Sequence, residues 1–137
     1  MNGDILTTSD FGSLFAFHEA QGAHITVAAI DYRVNIPFGV ISADGALVTG
    51  LAEKPSQRFL CNAGIYAVSP AALGLLQARY CNMTDMVETC IAKGLPVAVF
   101  PVHEYWSDIG TPDDLEKART LFTQLDVGGR VTKVLRQ

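Results

Sequence analysis

The chain has 137 residues, of which 49% are hydrophobic and 18% charged, and it carries a formal charge of −4 at pH 7. This length suits one domain with its own core, and the apolar fraction excludes a disordered protein. The acidic balance excludes nucleic acid as a partner, because no basic stripe is present to neutralise phosphates. No run is long and apolar enough to cross a bilayer, so we expect no membrane partner.

The three cysteines also limit the class of protein. They are odd in number and show no C-x-x-C spacing, which argues against a zinc site or a disulfide framework. We interpret Cys61 and Cys90, which lie in apolar runs, as small buried hydrophobes. The first residues lack a charged segment followed by an apolar run, so no signal peptide is expected. A reducing cytoplasm is the expected location.

The first quarter of the chain predicts a turn and a helix. Residues 1–4 are interpreted as a strand end that runs into an Asn2-Gly3 turn. Thr7 or Ser9 is expected to cap the helix, which ends at Gly22. Its predicted apolar face, at helical spacing, consists of Phe11, Leu14, Phe15 and His18.

Beyond residue 24, apolar and β-branched runs alternate with capped helical segments. The predicted strands are 25–30, 37–42, 47–52, 59–68, 97–102 and 105–108. An Asp44-Gly45 turn predicts an antiparallel hairpin. Cap and proline signals predict helices at 70–79, at 84–93 and from 112 onward. The pattern predicts an α/β fold, a three-layer α/β/α arrangement with one mixed sheet. Residues 131–135 are interpreted as a short strand or a loose tail.

Two aspartates stand where a metal site could be built. In Asn2-Gly3-Asp4, the glycine lets the backbone approach a ligand while the carboxylate of Asp4 points at it. A turn with an Asx cap is the alternative. Asp108 precedes a capped helix and could join Asp4 in holding Mg²⁺, which prefers carboxylates, waters and substrate phosphates. The alternative for Asp108 is an ordinary turn residue.

Two further motifs suggest polar ligand contacts. In Glu53-Lys54-Pro55, the proline predicts an extended Lys54 whose ammonium suits a phosphate, with Glu53 as an acceptor for hydroxyl groups. A solvated ion pair is the alternative. Asn62-Ala63-Gly64 interrupts an apolar strand. Either a ligand approaches over Gly64 and bonds the amide of Asn62, or the segment is a β-bulge.

Taken in order, five motifs resemble the sugar-1-phosphate nucleotidyltransferase family, and within it the mannose-1-phosphate guanylyltransferase-like enzymes. They are Asn2-Gly3-Asp4, Pro37-Phe38-Gly39-Val40, Glu53-Lys54-Pro55, Asn62-Ala63-Gly64-Ile65-Tyr66 and Trp106-Ser107-Asp108-Ile109-Gly110-Thr111-Pro112. The resemblance extends to about residue 122, and the shared order and spacing make it highly specific. It implies a truncated nucleotide-diphospho-sugar transferase (Rossmann-like) fold, with a domain at 1–124 and a tail at 125–137.

The resemblance also implies roles for seven residues. Asp4 and Asp108 would be catalytic and would bind Mg²⁺, while Gly39, Glu53, Lys54, Asn62 and Gly64 would bind the sugar-1-phosphate. Among these, Lys54 would contact the phosphate and Glu53 a sugar hydroxyl. Phe38 stands where the family commonly has tyrosine. The family reaction is in-line attack of a sugar-1-phosphate oxygen on the α-phosphorus of a nucleoside triphosphate, with release of pyrophosphate.

The sequence departs from the family in one large respect. The N-terminal half of the family carries a glycine-rich loop that cradles the triphosphate, and no segment here resembles that loop. We therefore expect the C-terminal half of such an enzyme, which binds sugar-1-phosphate, binds a nucleoside triphosphate only if the other half is supplied, and has no turnover on its own. The alternative is a non-catalytic, self-associating domain.

A homodimer is expected for a physical reason. Without the family's first half, strand 25–30 and the helix face around Phe11 and Phe15 would have less cover, and exposed apolar area favours association. Twofold pairing is the simplest closed arrangement. The alternative is that the helices and the tail cover this face themselves.

Overall fold

The computed structural model describes residues 1–75 and 81–127, with side chains described as far as residue 121. The elements in chain order are β1 (Ile5–Thr7), α1 (Phe11–Ala20), β2 (Ile25–Asn35), β3 (Val40–Asp44), β4 (Leu47–Ala52), β5 (Ser56–Val68), α2 (Pro70–Leu73), α3 (Met83–Ala92), β6 (Val97–Val102), β7 (Trp106–Asp108) and α4 (Pro112–Val127). The predicted α/β class is confirmed. None of the helices in these ranges is both long and apolar enough to span a membrane.

The chain divides into two compact units. Unit 1 comprises Met1–Ile30 and Asn62–Gln137, and unit 2 comprises Asp31–Cys61. The long strands β2 and β5 each contribute residues to both units. Each unit contains part of the predicted site and is described separately.

Unit 1 is built around a mixed sheet with the strand order β5-β2-β6, in which β2 and β6 are parallel. Along β2, Ile25 belongs to the apolar cluster that includes Cys90 of α3, whereas Ala28 belongs to the cluster that includes Leu14 of α1. Successive side chains of a strand point to opposite faces. Helix α1 therefore covers one face of the sheet and α3 the other, which confirms the three-layer arrangement.

Strand β2 is central in this sheet, and this corrects one argument from the sequence. Ile25, Ala28 and Ala29 are buried, because β5 and β6 flank the strand and helices cover both faces. The expectation that strand 25–30 would lie open to a second copy was wrong. Phe11 and Phe15 are indeed exposed, at 41% and 55%.

Helix α1 also differs from its predicted cap and face. Its N-cap is Asp10, whose Oδ1 accepts a hydrogen bond from the Gly12 N–H at 2.9 Å. Thr7 cannot serve as the cap because it belongs to β1, where its hydroxyl donates to the Tyr105 carbonyl. The buried residues of α1 are Leu14 and His18, so the face toward the sheet is narrower than the sequence indicated.

Several predicted strands have different bounds or partners. Strands β2 and β5 are longer than predicted, and β6 has the predicted bounds. β3 begins at Val40 rather than at residue 37, since Pro37 lacks the N–H that a ladder needs. β3 and β4 form a separate two-stranded sheet, so the prediction that they join the mixed sheet was wrong. β1 and its antiparallel pairing with β7 were not predicted.

Two predictions fall partly or wholly on residues that are not described. Helix α2 covers Pro70–Leu73, and the rest of the predicted helix at 70–79 includes residues 76–79, outside the described range. The predicted segment at 131–135 also lies outside it.

Unit 2 contains the predicted antiparallel hairpin. β3 and β4 pair from Val40 opposite Ala52 to Asp44 opposite Leu47, and Gly45 adopts φ +58° in the turn. The register shifts between Ser42 and Ala43, so that one residue of β4 is left without an opposite partner. The turn residues therefore behave as their types predict.

The bulge has a consequence for the side chains of this hairpin. Leu51 lies opposite Ile41 on one side of the shift and Val48 lies opposite Ala43 on the other. Ile41 and Ala43 share a face of β3, since they are two residues apart. The extra residue therefore keeps Val48 on the same face as Ile41 and Leu51, and all three side chains are more than 60% exposed.

Candidate functional site

The two predicted metal aspartates lie on paired segments of unit 1. Ile5 is opposite Asp108 in the β1–β7 ladder. One step further, the Ile109 N–H donates to the Asp4 carbonyl at 2.8 Å. Asp4 and Asp108 are thus offset by one position on neighbouring segments, and both residues are exposed. The short unpredicted ladder is what brings these two segments together.

The two aspartates have the donor chemistry that a magnesium site completed by substrate uses. Mg²⁺ commonly takes one or two carboxylates and fills its remaining positions with waters and phosphate oxygens. Two exposed carboxylates on adjoining segments supply that minimum. Among the side chains that the structure describes, in residues 1–75 and 81–121, no cluster of three or more His, Cys, Asp or Glu suits a metal ion. Magnesium binding stays a prediction.

Gly64 lies in close contact with the segment that carries Asp4. It adopts φ +69°, and a Cβ at this position would come within 2.8 Å of Nδ2 of Asn2. The Asn2 N–H also donates to the Gly64 carbonyl at 2.8 Å. The space above this glycine is therefore occupied by the chain's own Asn2, an arrangement that the strand pattern did not reveal.

Asn62 makes two hydrogen bonds through its carboxamide. Its Oδ1 accepts from the Gly64 N–H at 2.9 Å, and its Nδ2 donates to the Tyr66 hydroxyl at 2.7 Å. Asn62 is exposed, and its carboxamide still has one donor and one acceptor position free of these two bonds. The side chain is therefore oriented by the protein and retains the capacity to bind a hydroxyl group.

The segment before Asp108 is tied to the same part of β5. The indole Nε1–H of Trp106 donates to the Ala63 carbonyl at 2.8 Å. This bond fixes β7 against the Asn62-Ala63-Gly64 run. Four of the seven predicted site residues, Asp4, Asn62, Gly64 and Asp108, are connected in this way within unit 1.

In unit 2, Gly39 and Glu53 are neighbours. A Cβ at Gly39 would lie 3.1 Å from Oε2 of Glu53 and 3.6 Å from Cδ1 of Leu51. Any side chain at position 39 would therefore crowd the Glu53 carboxylate. The motif spacing alone did not indicate this proximity, because thirteen residues separate the two positions in the sequence.

Lys54 departs from its predicted conformation. The proline at position 55 favours an extended backbone for the residue before it, but Lys54 has φ +45°, in the left-handed region. It lies in the short connection between β4 and β5, and the Pro55 carbonyl of that connection accepts a hydrogen bond from the Ile36 N–H. The tight turn overrides the local preference of the sequence. Left-handed backbone is unfavourable for a non-glycine residue and often marks a functional position.

Two cations of unit 2, Arg58 and Lys54, differ in whether an ion pair already holds them. Arg58 donates to Asp31 through both Nε and an NH2 group, and this partner raises the pKa of the guanidinium above its ordinary value. Lys54 makes no ion pair with any residue that the structure describes. Its ammonium is therefore better placed than the Arg58 guanidinium to meet an external phosphate. The sequence reasoning did not identify the Arg58–Asp31 pair.

A separate cleft of about 510 Å³ lies beside α1 and the start of α2 in unit 1. Its walls include Phe15, His18 and His24, and none of the predicted site residues. Concavity alone would favour this cleft as a ligand site, but the chemistry of the chain is concentrated elsewhere. The residues predicted to contact a sugar phosphate lie outside this cleft.

Comparisons with known proteins bear on these residues. A family model described as "Nucleotidyl transferase" matches residues 1–124. A Sulfolobus acidocaldarius protein provisionally named mannose-1-phosphate guanyltransferase is 30% identical over 114 residues, which are 82% of this chain and 32% of the relative. The mannose-1-phosphate guanyltransferase of Schizosaccharomyces pombe is 28% identical over 121 residues, with 83% and 33% covered. The chain thus spans about a third of the length of these relatives.

A solved structure supports the fold. HddC from Yersinia pseudotuberculosis, complexed with GMP-PN, is 20% identical and superposes with a TM-score of 0.58. The match covers 89% of this chain and 53% of the other.

Proposed function

Because the chain belongs to the nucleotidyl transferase family, we propose that it carries the sugar-1-phosphate and metal side of a sugar-1-phosphate nucleotidyltransferase of the mannose-1-phosphate guanylyltransferase type. The observation that supports this most is the β1–β7 ladder, which sets the segments of Asp4 and Asp108 side by side. The names of the relatives support the choice of mannose-1-phosphate as the first substrate to test.

In the proposed reaction, an oxygen of the sugar-1-phosphate forms a bond to the α-phosphorus of a nucleoside triphosphate. The bond between the α-phosphorus and the bridging oxygen breaks, and pyrophosphate leaves. Mg²⁺, bound by Asp4 and Asp108, would neutralise charge on the phosphate oxygens. The ammonium of Lys54 would hold the sugar phosphate as a point charge. Glu53 would accept a hydrogen bond from a sugar hydroxyl, and Gly39 leaves the space that this carboxylate needs.

The triphosphate side is not represented in this sequence. Nowhere in its 137 residues does a glycine-rich loop open a strand-loop-helix unit with adjacent basic residues. Positioning and charge stabilisation supply most of the catalysis in phosphoryl-type transfers. We therefore expect this polypeptide to bind sugar phosphate and to require triphosphate-binding residues from elsewhere for turnover. We also propose a cytoplasmic location, the kind of reducing compartment in which unpaired cysteines are usual.

Calorimetric titration with mannose-1-phosphate in the presence of Mg²⁺ tests the binding role. We expect binding that Lys54→Met weakens by about tenfold or more, which is the scale expected for the loss of one charged contact to a phosphate. Lys93→Met is the matched control, because Lys93 is also exposed, caps the end of α3 and belongs to none of the motifs. Equal binding by wild type and Lys54→Met would contradict the assignment.

Turnover is tested by pyrophosphate release from GTP and mannose-1-phosphate. We expect none above background from this polypeptide alone. Release by the purified chain that disappears in Asp4→Ala would show that the residues present here suffice.

A self-associating, non-catalytic domain is the second candidate. The observation that favours it is the exposed apolar face of the hairpin in unit 2, formed by Ile41, Val48 and Leu51. Contiguous apolar side chains on a surface commonly mark a protein contact. We propose a homodimer through this face, in place of the contact through strand 25–30 that the sequence suggested.

A further inference from the structure

Gly64 packs closely against the segment that carries Asp4. A Cβ at this position would lie 2.8 Å from Nδ2 and 3.0 Å from Cγ of Asn2, and 3.3 Å from Cγ1 of Ile5. These atoms belong to the segment on either side of Asp4. Real Cβ atoms essentially never approach a heavy atom to within 3.0 Å, so a side chain at position 64 must displace the side chain of Asn2, which belongs to this segment.

Three hydrogen bonds join the same region. Asn2 donates to the Gly64 carbonyl, Trp106 donates through its indole to the Ala63 carbonyl, and Ile109 donates to the Asp4 carbonyl, each at 2.8 Å. The segment of Asp4 is therefore tied to Gly64, and the segment of Asp108 is tied to Ala63, the preceding residue of β5. They are also tied directly to each other. We call the four residues Asn2, Ala63, Gly64 and Trp106 the β5 corner.

We propose that Gly64 is a positioning residue for the Asp4–Asp108 pair, which it serves by leaving room for Asn2 in the β5 corner. The family resemblance gave Gly64 a place on the sugar-binding strand, whereas the contacts of this glycine point to the metal carboxylates. The geometric part of the proposal stands on unit 1 alone. Only its consequence for Mg²⁺ rests on the proposed function.

A competing explanation is that glycine is needed at position 64 solely for its left-handed backbone. Gly94 separates the two explanations. It has the same φ of +69°, and a Cβ there would meet nothing within 4 Å. Gly94→Ala therefore carries the backbone strain without a steric conflict, and Gly64→Ala carries both. The two variants form a matched pair within one chain.

The test is amide hydrogen exchange measured by NMR on the full chain. In Gly64→Ala we expect the Ile109 amide and the Trp106 indole N–H to exchange at least tenfold faster than in wild type. In Gly94→Ala both should change by less than twofold. In the double variant Asn2→Gly/Gly64→Ala, the new methyl group occupies the space that Asn2 vacates, so exchange at Ile109 should slow again by at least threefold. Equal acceleration in the two single variants would overturn the proposal.

A second variant and a metal-binding measurement complete the test. If Gly64→Ala does not fold, Trp106→Phe removes the indole hydrogen bond from the other side of the β5 corner. The Asn2 amide should then exchange at least fivefold faster, and an unchanged Asn2 amide would overturn the proposal. Mn²⁺ quenching of Trp106, the only tryptophan, reports on the metal separately. Faster exchange without any Mn²⁺ binding by wild type would leave Gly64 as the positioning residue and reject the metal role of the pair.

Discussion

At the scale of single residues, the cysteines show how environment fixes a role. Cys90 is fully buried in the cluster that contains Ile25 and Met86, as its apolar neighbours in the sequence predicted. Cys61 is only half-buried and Cys81 is exposed. Cys90 is thus a packing residue and not a candidate nucleophile, because a reactive thiol needs access to solvent.

Replacing Cys90 tests this packing role. Cys90→Ser puts a hydroxyl into an apolar cluster, and an unpaired buried polar group costs about 1–3 kcal/mol. We expect a loss of this size in the free energy of unfolding, measured by urea titration. The same change at exposed Cys81 should have almost no effect. A Cys90→Ser variant as stable as Cys81→Ser would contradict the assignment.

At the scale of elements, the cap of α1 gives a pH dependence. Hydrogen bonds from the Ser13 hydroxyl and the Gly12 N–H lower the pKa of Asp10 below its ordinary value. A carboxylate whose pKa is lowered by folding stabilises the protein above its unfolded-state pKa, and that stabilisation is lost as the pH falls through the folded-state pKa. A Thr111 hydroxyl acts on the pKa of Asp114 in the same direction, in the first turn of α4.

We therefore expect Asp10→Ala to lower the thermal midpoint at pH 6. Its effect should become progressively smaller as the pH falls below the ordinary pKa of an aspartate. Asp10→Asn keeps an acceptor for the Gly12 N–H but cannot titrate, so it should retain part of the cap at every pH. Circular dichroism melts from pH 6 to pH 2.5 measure both variants. The effect should be small, since Asp10 is exposed and screened by solvent. A difference between wild type and Asp10→Ala that stays constant over this range would contradict the expectation.

The elements also show how far the sequence could be interpreted. Strand β6 and the β3–β4 hairpin were predicted because β-branched runs and a turn dipeptide act locally. β1 was missed, since three residues carry too little periodicity and the strand exists only through its pairing with β7. The separation of β3 and β4 from the main sheet was missed for a related reason. Sheet membership depends on partners that are distant in sequence.

The candidate site, too, was predictable from the sequence only in part. The residue types at positions 4, 53, 54 and 108 could be found from motif order alone. The backbone of Lys54 could not, because the turn between β4 and β5 overrides the preference that Pro55 imposes. Nor could the contact of Asn2 with Gly64, which requires the coordinates of two segments about sixty residues apart.

At the scale of the whole molecule, the exposed hairpin face predicts self-association. Ile41 is 61% exposed on this face, and Ile91 of α3 is 60% exposed elsewhere in the chain. Sedimentation velocity at micromolar concentration should show a dimer for wild type. Ile41→Lys should shift it to a monomer of 14.7 kDa, because burying an unpaired charge opposes association. Ile91→Lys, matched in residue type and exposure, should leave the dimer intact. A monomeric wild type would reject this proposal.

The contact between Asn2 and Gly64 also constrains how the family can vary. A lineage that gains a side chain at position 64 must first lose bulk at position 2, because the two side chains would claim the same space. The left-handed backbone narrows the choice at position 64 further, mainly to glycine and asparagine. Among homologues, substitutions at these two positions should therefore appear together and in a fixed order, with the smaller residue at position 2 arising before the larger one at position 64.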